Sequence, residues 1–340
     1  MRYLIVKTSA FGDIIHAYGV LEFLKQLDPT CSVDWVVEKR MSALVKNHPL
    51  VDRTIEVDTK KWRSNLFTKA TKQEIAATTA ELKKESYDAV FDLQGNIKSA
   101  IITFLARSKN KIGFGFKTAP ESISALSYTH RYNPPVCQNI RSDYLFLPES
   151  YFAKKNNITL STLLTVEQAV PVLQANWLIA PGSNWINKQL TYPALTAFLQ
   201  LCKLAYKPKY VFLCGSESEH SAAQELVQAF PGSEILYKPT LPVLQHIMSS
   251  MQLVISMDSL PLHLAATASC PTYSFFGPSS SQKYNPLGII HGAFQGPCPY
   301  GQTFERRCPK LRTCPTGACL REVSPQTLFA AFQSWHGLPV

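Results

Sequence analysis

No stretch of this 340-residue chain offers the roughly 20 uninterrupted apolar residues that a bilayer-spanning helix needs. The apolar segment at Ala100 to Ala106 is closed by Arg107 and Lys109. The opening run, Tyr3 to Val6, stops at Lys7, too early for a secretory signal, so a cytoplasmic location is expected. Repeats of fixed period and low-complexity tracts are missing, which argues against solenoids and flexible linkers. The C-x2-C pairs of common zinc modules are missing as well. Finger, homeodomain and RNA-binding signatures are also lacking, and the basic residues are dispersed, so nucleic acid is not expected as a partner. Acidic residues are scarce, 24 against 34 Lys and Arg, for a formal charge of +10. That balance favours an anionic partner such as an acidic membrane surface or a phosphorylated ligand.

What is present fits an α/β protein of two domains. The length exceeds that at which one core usually stops growing, and the 46% hydrophobic content can fill two. The apolar run Tyr3–Val6 and the strand-like runs Val33–Val37, Thr54–Val57 and Ala89–Leu93 read as strands, with helical spacing over Ile14–Leu27 and Lys72–Lys84. A second series has strands at Trp177–Ala180, Tyr210–Cys214, Val254–Met257 and Thr272–Phe276, with helices starting near Tyr192, Glu219 and Pro242. Strands alternating with helices indicate parallel sheets. The stretch Asn156 to Ala175 shows no long period, which places the junction between domains 1–168 and 169–340. Beyond Pro286 comes a segment rich in Gly, Pro, Cys and Arg, then a helix at about Pro325–Trp335, which can pack across domains. Cys31, Cys137, Cys202, Cys214 and Cys270 read as packing residues. Cys298, Cys308, Cys314 and Cys319 are close enough in sequence to share a metal, although none is expected.

The polar residues that can carry chemistry follow strands. Asp13 comes after the Gly12 turn, where a strand gives way to a helix; it can serve as an ionised base or, as its residue type favours, as a helix cap. After the strand ending at Ala180, the loop with Gly182, Ser183, Asn184 and Lys188 offers N–H groups, a hydroxyl and an ammonium to a diphosphate, or is a plain surface turn. It lacks the second Gly and the Lys-Ser/Thr pair of a Walker A loop. Asp258 and Ser259 lead into a helix near Pro261 whose N-terminus suits an anion. His263 either turns to the same edge or faces the core. Glu219 can bind a ribose diol or simply decorate a first helical turn. Lys60, Lys61 and Arg63 form a basic cluster that can grip an acidic acceptor or remain solvated.

In combination these stretches resemble the bacterial lipopolysaccharide heptosyltransferase I family. Lys7-Thr8-Ser9 through Gly12-Asp13, then Asp34-Trp35-Val36-Val37-Glu38, Lys60-Lys61-Trp62-Arg63, Tyr87-Asp88-Ala89-Val90 and Gln94-Gly95 with Lys98-Ser99-Ala100 follow that family in order and spacing. Gly182-Ser183, Lys188, Gly215 to Glu219, Asp258-Ser259, His263 and Phe276-Gly277-Pro278 follow it more loosely. The resemblance implies a GT-B fold, two Rossmann-like domains facing a cleft, the first binding acceptor and the second nucleotide sugar, with no metal or cofactor. It implies inverting transfer of heptose from ADP-heptose to the Kdo of Kdo-lipid A by a monomer, peripheral at the cytoplasmic face of the inner membrane. Asp13 would be the base and Lys188 would neutralise the leaving diphosphate. Ser183, Asn184, Ser259 and His263 would line the phosphate region, Asp258 would hold the sugar and Glu219 the ribose. Lys60, Lys61, Arg63, Lys98 and Arg141 would meet the acceptor. Four positions depart from the pattern: Leu260 replaces a glycine, Leu190 a tryptophan, Pro120 an arginine and Gly19 a proline. They leave room for a relative with another donor or acceptor, or for a donor-binding protein without turnover.

Overall fold

A computed structural model describes residues 1–155 and 157–337. Asn156, the first residue of the stretch without a long period, and residues 338–340 lie outside the described residues. The chain forms two compact units, Met1–Thr165 and a second starting at Val166. No described helix is long and apolar enough to cross a membrane.

The first unit is built on a parallel sheet of β1 (Arg2–Val6), β2 (Ser32–Glu38), β3 (Arg53–Val57), β4 (Ala89–Asp92), β5 (Lys111–Phe114) and β6 (His130–Tyr132). Their spatial order is β3-β2-β1-β4-β5-β6. The apolar run Tyr3–Val6 is buried throughout, and so is Val33–Val37 with its one charged residue, Asp34, as strands covered by helices on both faces must be. The second unit repeats the plan with β7 (Trp177–Ala180), β8 (Tyr210–Cys214), β9 (Glu234–Tyr237), β10 (Leu253–Met257), β11 (Thr272–Phe276) and β12 (His291–Gln295). Its order is β12-β11-β10-β7-β8-β9. Each sheet therefore runs outward both ways from a central pair, β1 with β4 and β7 with β10. A crevice opens at the carboxyl ends of such a pair because the connecting helices leave on opposite faces.

Four strands escape the sequence reading: β5, β6, β9 and β12. They are three to five residues long and carry Lys, Arg, Glu or Gly that blur the apolar signal; sheet pairing with a neighbour decides them. The last helix, Pro325–His336, packs on β12 and on the helix Tyr192–Tyr206 of its own unit. Its Phe332 sits among Trp177, Phe198 and Tyr273, with ring centroids 5.0 to 5.8 Å away. Gly292 admits the Trp335 indole, whose Cδ2 would lie 2.5 Å from any Cβ there.

Candidate active site

In the first unit the carboxyl ends of β1 and β4 shape one loop. Asp92 is wholly buried and accepts hydrogen bonds from the N–H groups of Gln94 (2.9 Å) and Gly95 (3.0 Å) and from the Tyr128 hydroxyl (2.8 Å). Burial pushes its carboxyl above the usual value despite these bonds. Gly95 adopts a φ of +68°, and a Cβ there would come within 2.7 Å of Pro120 Cδ, so the turn is glycine's. The turn aims Gln94 Oε1 at the N–H groups of Thr8 (3.2 Å) and Ser9 (3.0 Å). That holds the chain entering the helix Phe11–Leu27, which carries Asp13.

Asp13 is not the N-cap that its residue type favoured. The cap is Ala10, and Asp13 occupies the third helical position, its Oδ2 accepting the Ala10 N–H at 3.3 Å. Gly12 lies inside the helix, which begins at Phe11, three residues before the helical spacing that starts at Ile14. The other oxygen, Oδ1, takes a 3.4 Å hydrogen bond from the Tyr144 hydroxyl. The Lys7 ammonium lies 4.7 Å from the centre of the Tyr144 ring. Tyr144 and Lys7 escaped sequence reasoning as site residues; the tyrosine arrives from the helix Ile140–Phe152, 131 positions away.

The basic residues divide. Lys60, Lys61 and Arg63 lie exposed on the short helix Thr59–Ser64, capped by Asp58. Lys61 pairs with Glu74, whose hydrogen bond raises the lysine pKa. Lys98 joins this group, donating to Thr59 Oγ1 at 3.2 Å, and Thr59 is itself bonded to Glu38 at the end of β2. Arg141 differs: it is buried in the first turn of Ile140–Phe152, where a Cβ on Gly19 would touch its Cγ at 3.3 Å. Among the described residues it has no ion pair, its Nε lacks a hydrogen-bond partner, and burial lowers its pKa to about 10. A buried guanidinium without a counter-ion is electrostatically unfinished and attracts an anion.

In the second unit the ends of β7 and β10 bring three sequence candidates together. Lys188 Nζ donates to Asp258 Oδ2 at 2.5 Å, and His263 Nε2 lies 3.8 Å from Asp258 Oδ1. All three are buried. Burial by itself would raise the Asp258 pKa, but the His263 hydrogen bond and the charges of Lys188 and His263 hold the carboxyl well below the ordinary range. His263 thus faces the site while remaining buried. Ser259 heads the helix Leu260–Thr267 without capping it. Its hydroxyl turns back to Met257 O and Ser256 Oγ, both at 3.4 Å. Thr191, Ser216 and Ser324 do cap their helices, so the Ser259 helix keeps first-turn N–H groups for another acceptor. Leu190, at the position where the resemblance expects tryptophan, is part of the hydrophobic core.

Glu219 lies in the first turn of the helix Glu217–Ala229 that follows β8, its Oε2 accepting the Gly215 N–H at 2.7 Å. Its Oε1 sits where a Cβ on Gly182 would be only 2.2 Å away, so the carboxylate leans over the loop after β7. Ser183 is partly exposed, with its carbonyl taking the Gln189 amide at 2.6 Å; Asn184 is exposed. The Cys-rich segment clamps this loop. Asn187, missed by sequence reasoning, donates to Leu311 O and Cys314 O, each at 3.0 Å, and the Arg312 guanidinium lies 5.2 Å from the Trp185 ring centre. Gly317, at φ +61°, makes room for Asn187 Oδ1. Cys298, Cys308, Cys314 and Cys319 line one cavity beside Asn187. Among the described residues, no group of three or more His, Cys, Asp or Glu is arranged to hold a metal ion.

The arrangement can neutralise a diphosphate and hold a carboxylate at two sheet switch points. The family model for glycosyltransferase family 9 (heptosyltransferase) matches residues 75–312. Lipopolysaccharide heptosyltransferase 1 of Campylobacter coli is 31% identical over 307 residues, covering 83% of this chain and 86% of that protein. The structure of Escherichia coli heptosyltransferase WaaC with ADP superposes with a TM-score of 0.82 at 23% identity, over 98% of this chain and 100% of the other. The same enzyme with ADP-2-deoxy-2-fluoro heptose gives 0.74 at 27% identity, over 87% and 94%. With a family match over most of its length and a heptosyltransferase relative at this level of identity, the chain belongs to glycosyltransferase family 9, the heptosyltransferases.

Proposed function

We propose that this family 9 enzyme transfers L-glycero-D-manno-heptose from ADP-heptose to the Kdo of Kdo-lipid A, with inversion at the anomeric carbon. The observation that carries the donor half is the buried Lys188–Asp258–His263 group beside an uncapped helix N-terminus at the β7/β10 switch point. Lys188 and the free N–H groups of Leu260–Thr267 meet the diphosphate, Ser183, Asn184, Ser259 and His263 line it, Asp258 orients the sugar and Glu219 takes the ribose hydroxyls. On the first unit Asp13, held by the Ala10 N–H and the Tyr144 hydroxyl, accepts the proton of the attacking acceptor hydroxyl. The hydroxyl oxygen forms the new bond to the anomeric carbon as the bond to the β-phosphate oxygen breaks, and ADP leaves with the electron pair. Lys60, Lys61, Arg63, Lys98 and Arg141 bind the acidic acceptor. The enzyme works as a monomer and, because that acceptor is a lipid, rests on the cytoplasmic face of the inner membrane.

The test is incubation of the folded protein with ADP-heptose and Kdo-lipid A in detergent. ADP release with a heptosylated product is expected. Asp13→Asn should lower kcat by about 10² to 10⁴, the usual worth of a general base, with the dissociation constant for donor unchanged. A folded enzyme that binds donor but releases no ADP with this acceptor would refute the assignment.

A further inference from the structure

The helix Ile97–Leu105 has two unlike faces. Ser99, Ala100 and Thr103 are buried against the first unit, whereas Ile97, Ile101 and Phe104 form an outward stripe at helical spacing. The short 3-10 segment Ser122–Ser127 packs on this helix and adds Ile123 and Leu126. These five side chains are 48 to 68% exposed. Large apolar residues clustered in solvent mark an interaction surface more often than chance exposure does.

The charge along the segment that carries them is one-sided. Between residues 97 and 131 stand six basic residues, Lys98, Arg107, Lys109, Lys111, Lys117 and Arg131, and a single acid, Glu121. Glu121 is engaged, its carboxylate accepting the Ile97 N–H at 2.8 Å. Two of these cations are tied to the apolar side of the segment. The Lys111 ammonium donates to Phe104 O at 2.6 Å and lies 5.2 Å from the Phe104 ring centre. Arg131 donates to Ala125 O at 2.6 Å, and its guanidinium lies 5.6 Å from the ring centre of exposed Phe116. An apolar stripe with a cationic rim suits the interface of an anionic bilayer, where apolar groups enter the acyl boundary and ammonium and guanidinium groups stay with the phosphates. A second copy of the chain fits poorly, since self-pairing would bring two cationic rims together.

We infer that the face formed by Ile97, Ile101, Phe104, Ile123 and Leu126 is the surface by which the first unit docks on anionic lipid bilayers. The inference deepens the proposed peripheral placement and rests on it, assigning that placement to named residues. It also accounts for exposed apolar side chains that the transfer reaction does not use.

Vesicles without acceptor test it, read by co-sedimentation. The wild type should partition onto phosphatidylethanolamine vesicles containing about one-third phosphatidylglycerol, lose most of that binding in high salt, and bind neutral phosphatidylcholine weakly. Ile101→Ser/Phe104→Ser/Leu126→Ser should weaken partitioning at least about tenfold, and Lys109→Glu/Arg131→Glu should do so on anionic vesicles only. Both variants should keep wild-type melting temperatures and wild-type transfer to detergent-dispersed acceptor. Unchanged partitioning in both variants would overturn the inference. So would a wild-type dimer that the serine variant dissociates while vesicle binding persists. Failure of transfer in detergent would strike the proposed reaction alone and leave the vesicle result to stand or fall by itself.

Discussion

Replacing Lys188 by methionine removes one member of a buried ion pair while keeping a chain of similar length. Among the described residues, Asp258 would then retain His263 as its one ionic partner, 3.8 Å from its other oxygen. Breaking a buried pair from one side costs about 3–5 kcal/mol because the remaining charge is stranded. With His263 still in reach, the expected loss is at the lower end, about 3 kcal/mol. Lys188→Met/Asp258→Asn removes both charges and should be less unstable than the two single variants together, by a coupling of about 2 kcal/mol, within the usual span for contacting residues. Urea unfolding of the four proteins at neutral pH measures the cycle. The pH dependence follows from the lowered Asp258 pKa. A carboxylate stabilised in the folded state contributes fully above its ordinary value of 3.8 and loses that contribution as pH falls from there towards the native value. The gap between wild type and Lys188→Met should therefore be flat through neutral pH and close only in strong acid. A coupling under about 0.5 kcal/mol, or a gap that widens in acid, would refute this account of the pair.

Three further outcomes are expected. Gly182→Ala should push the Glu219 carboxylate from its place, since Oε1 sits 2.2 Å from the new Cβ; calorimetry should show weaker ADP binding with little change in melting temperature, because a flexible side chain gives way. Arg141→Met should stabilise the protein by about 1–3 kcal/mol in urea, since it replaces an unpaired buried cation, while raising KM for the acceptor. Asn187→Ala removes two hydrogen bonds to the Cys-rich segment, costing about 1–3 kcal/mol, and should lower kcat/KM for ADP-heptose by loosening the loop that carries Lys188; an unchanged kcat/KM would refute the clamp.

The long buried strands were legible because a strand covered on both faces must be largely apolar, and Tyr3–Val6, Val33–Val37 and Val254–Met257 are, with Asp34 and Ser256 as the polar exceptions. The candidate polar residues were legible because each follows such a run, and parallel strands bring their carboxyl ends to one edge. Short strands at or near the margins of the sheets were not, because β6 and β9 take their conformation from a neighbour's hydrogen bonds. Tyr144 carried no local signal, since only the packing of Ile140–Phe152 on Phe11–Leu27 brings its hydroxyl to Asp13. Asn187 likewise gains its role from a segment more than a hundred residues further on.

Sequence by itself determined the two α/β halves, the family, and the residue types available at each sheet edge, because periodicity and motif spacing are local properties. Tertiary structure decided the partnerships. It put Asp13 at the third position of its helix rather than at the cap, joined Lys188 to Asp258, and buried Arg141 without a counter-ion among the described residues. The first outcome turns on where the helix starts, and the other two depend on distances between residues far apart in the chain, which only the packed elements set.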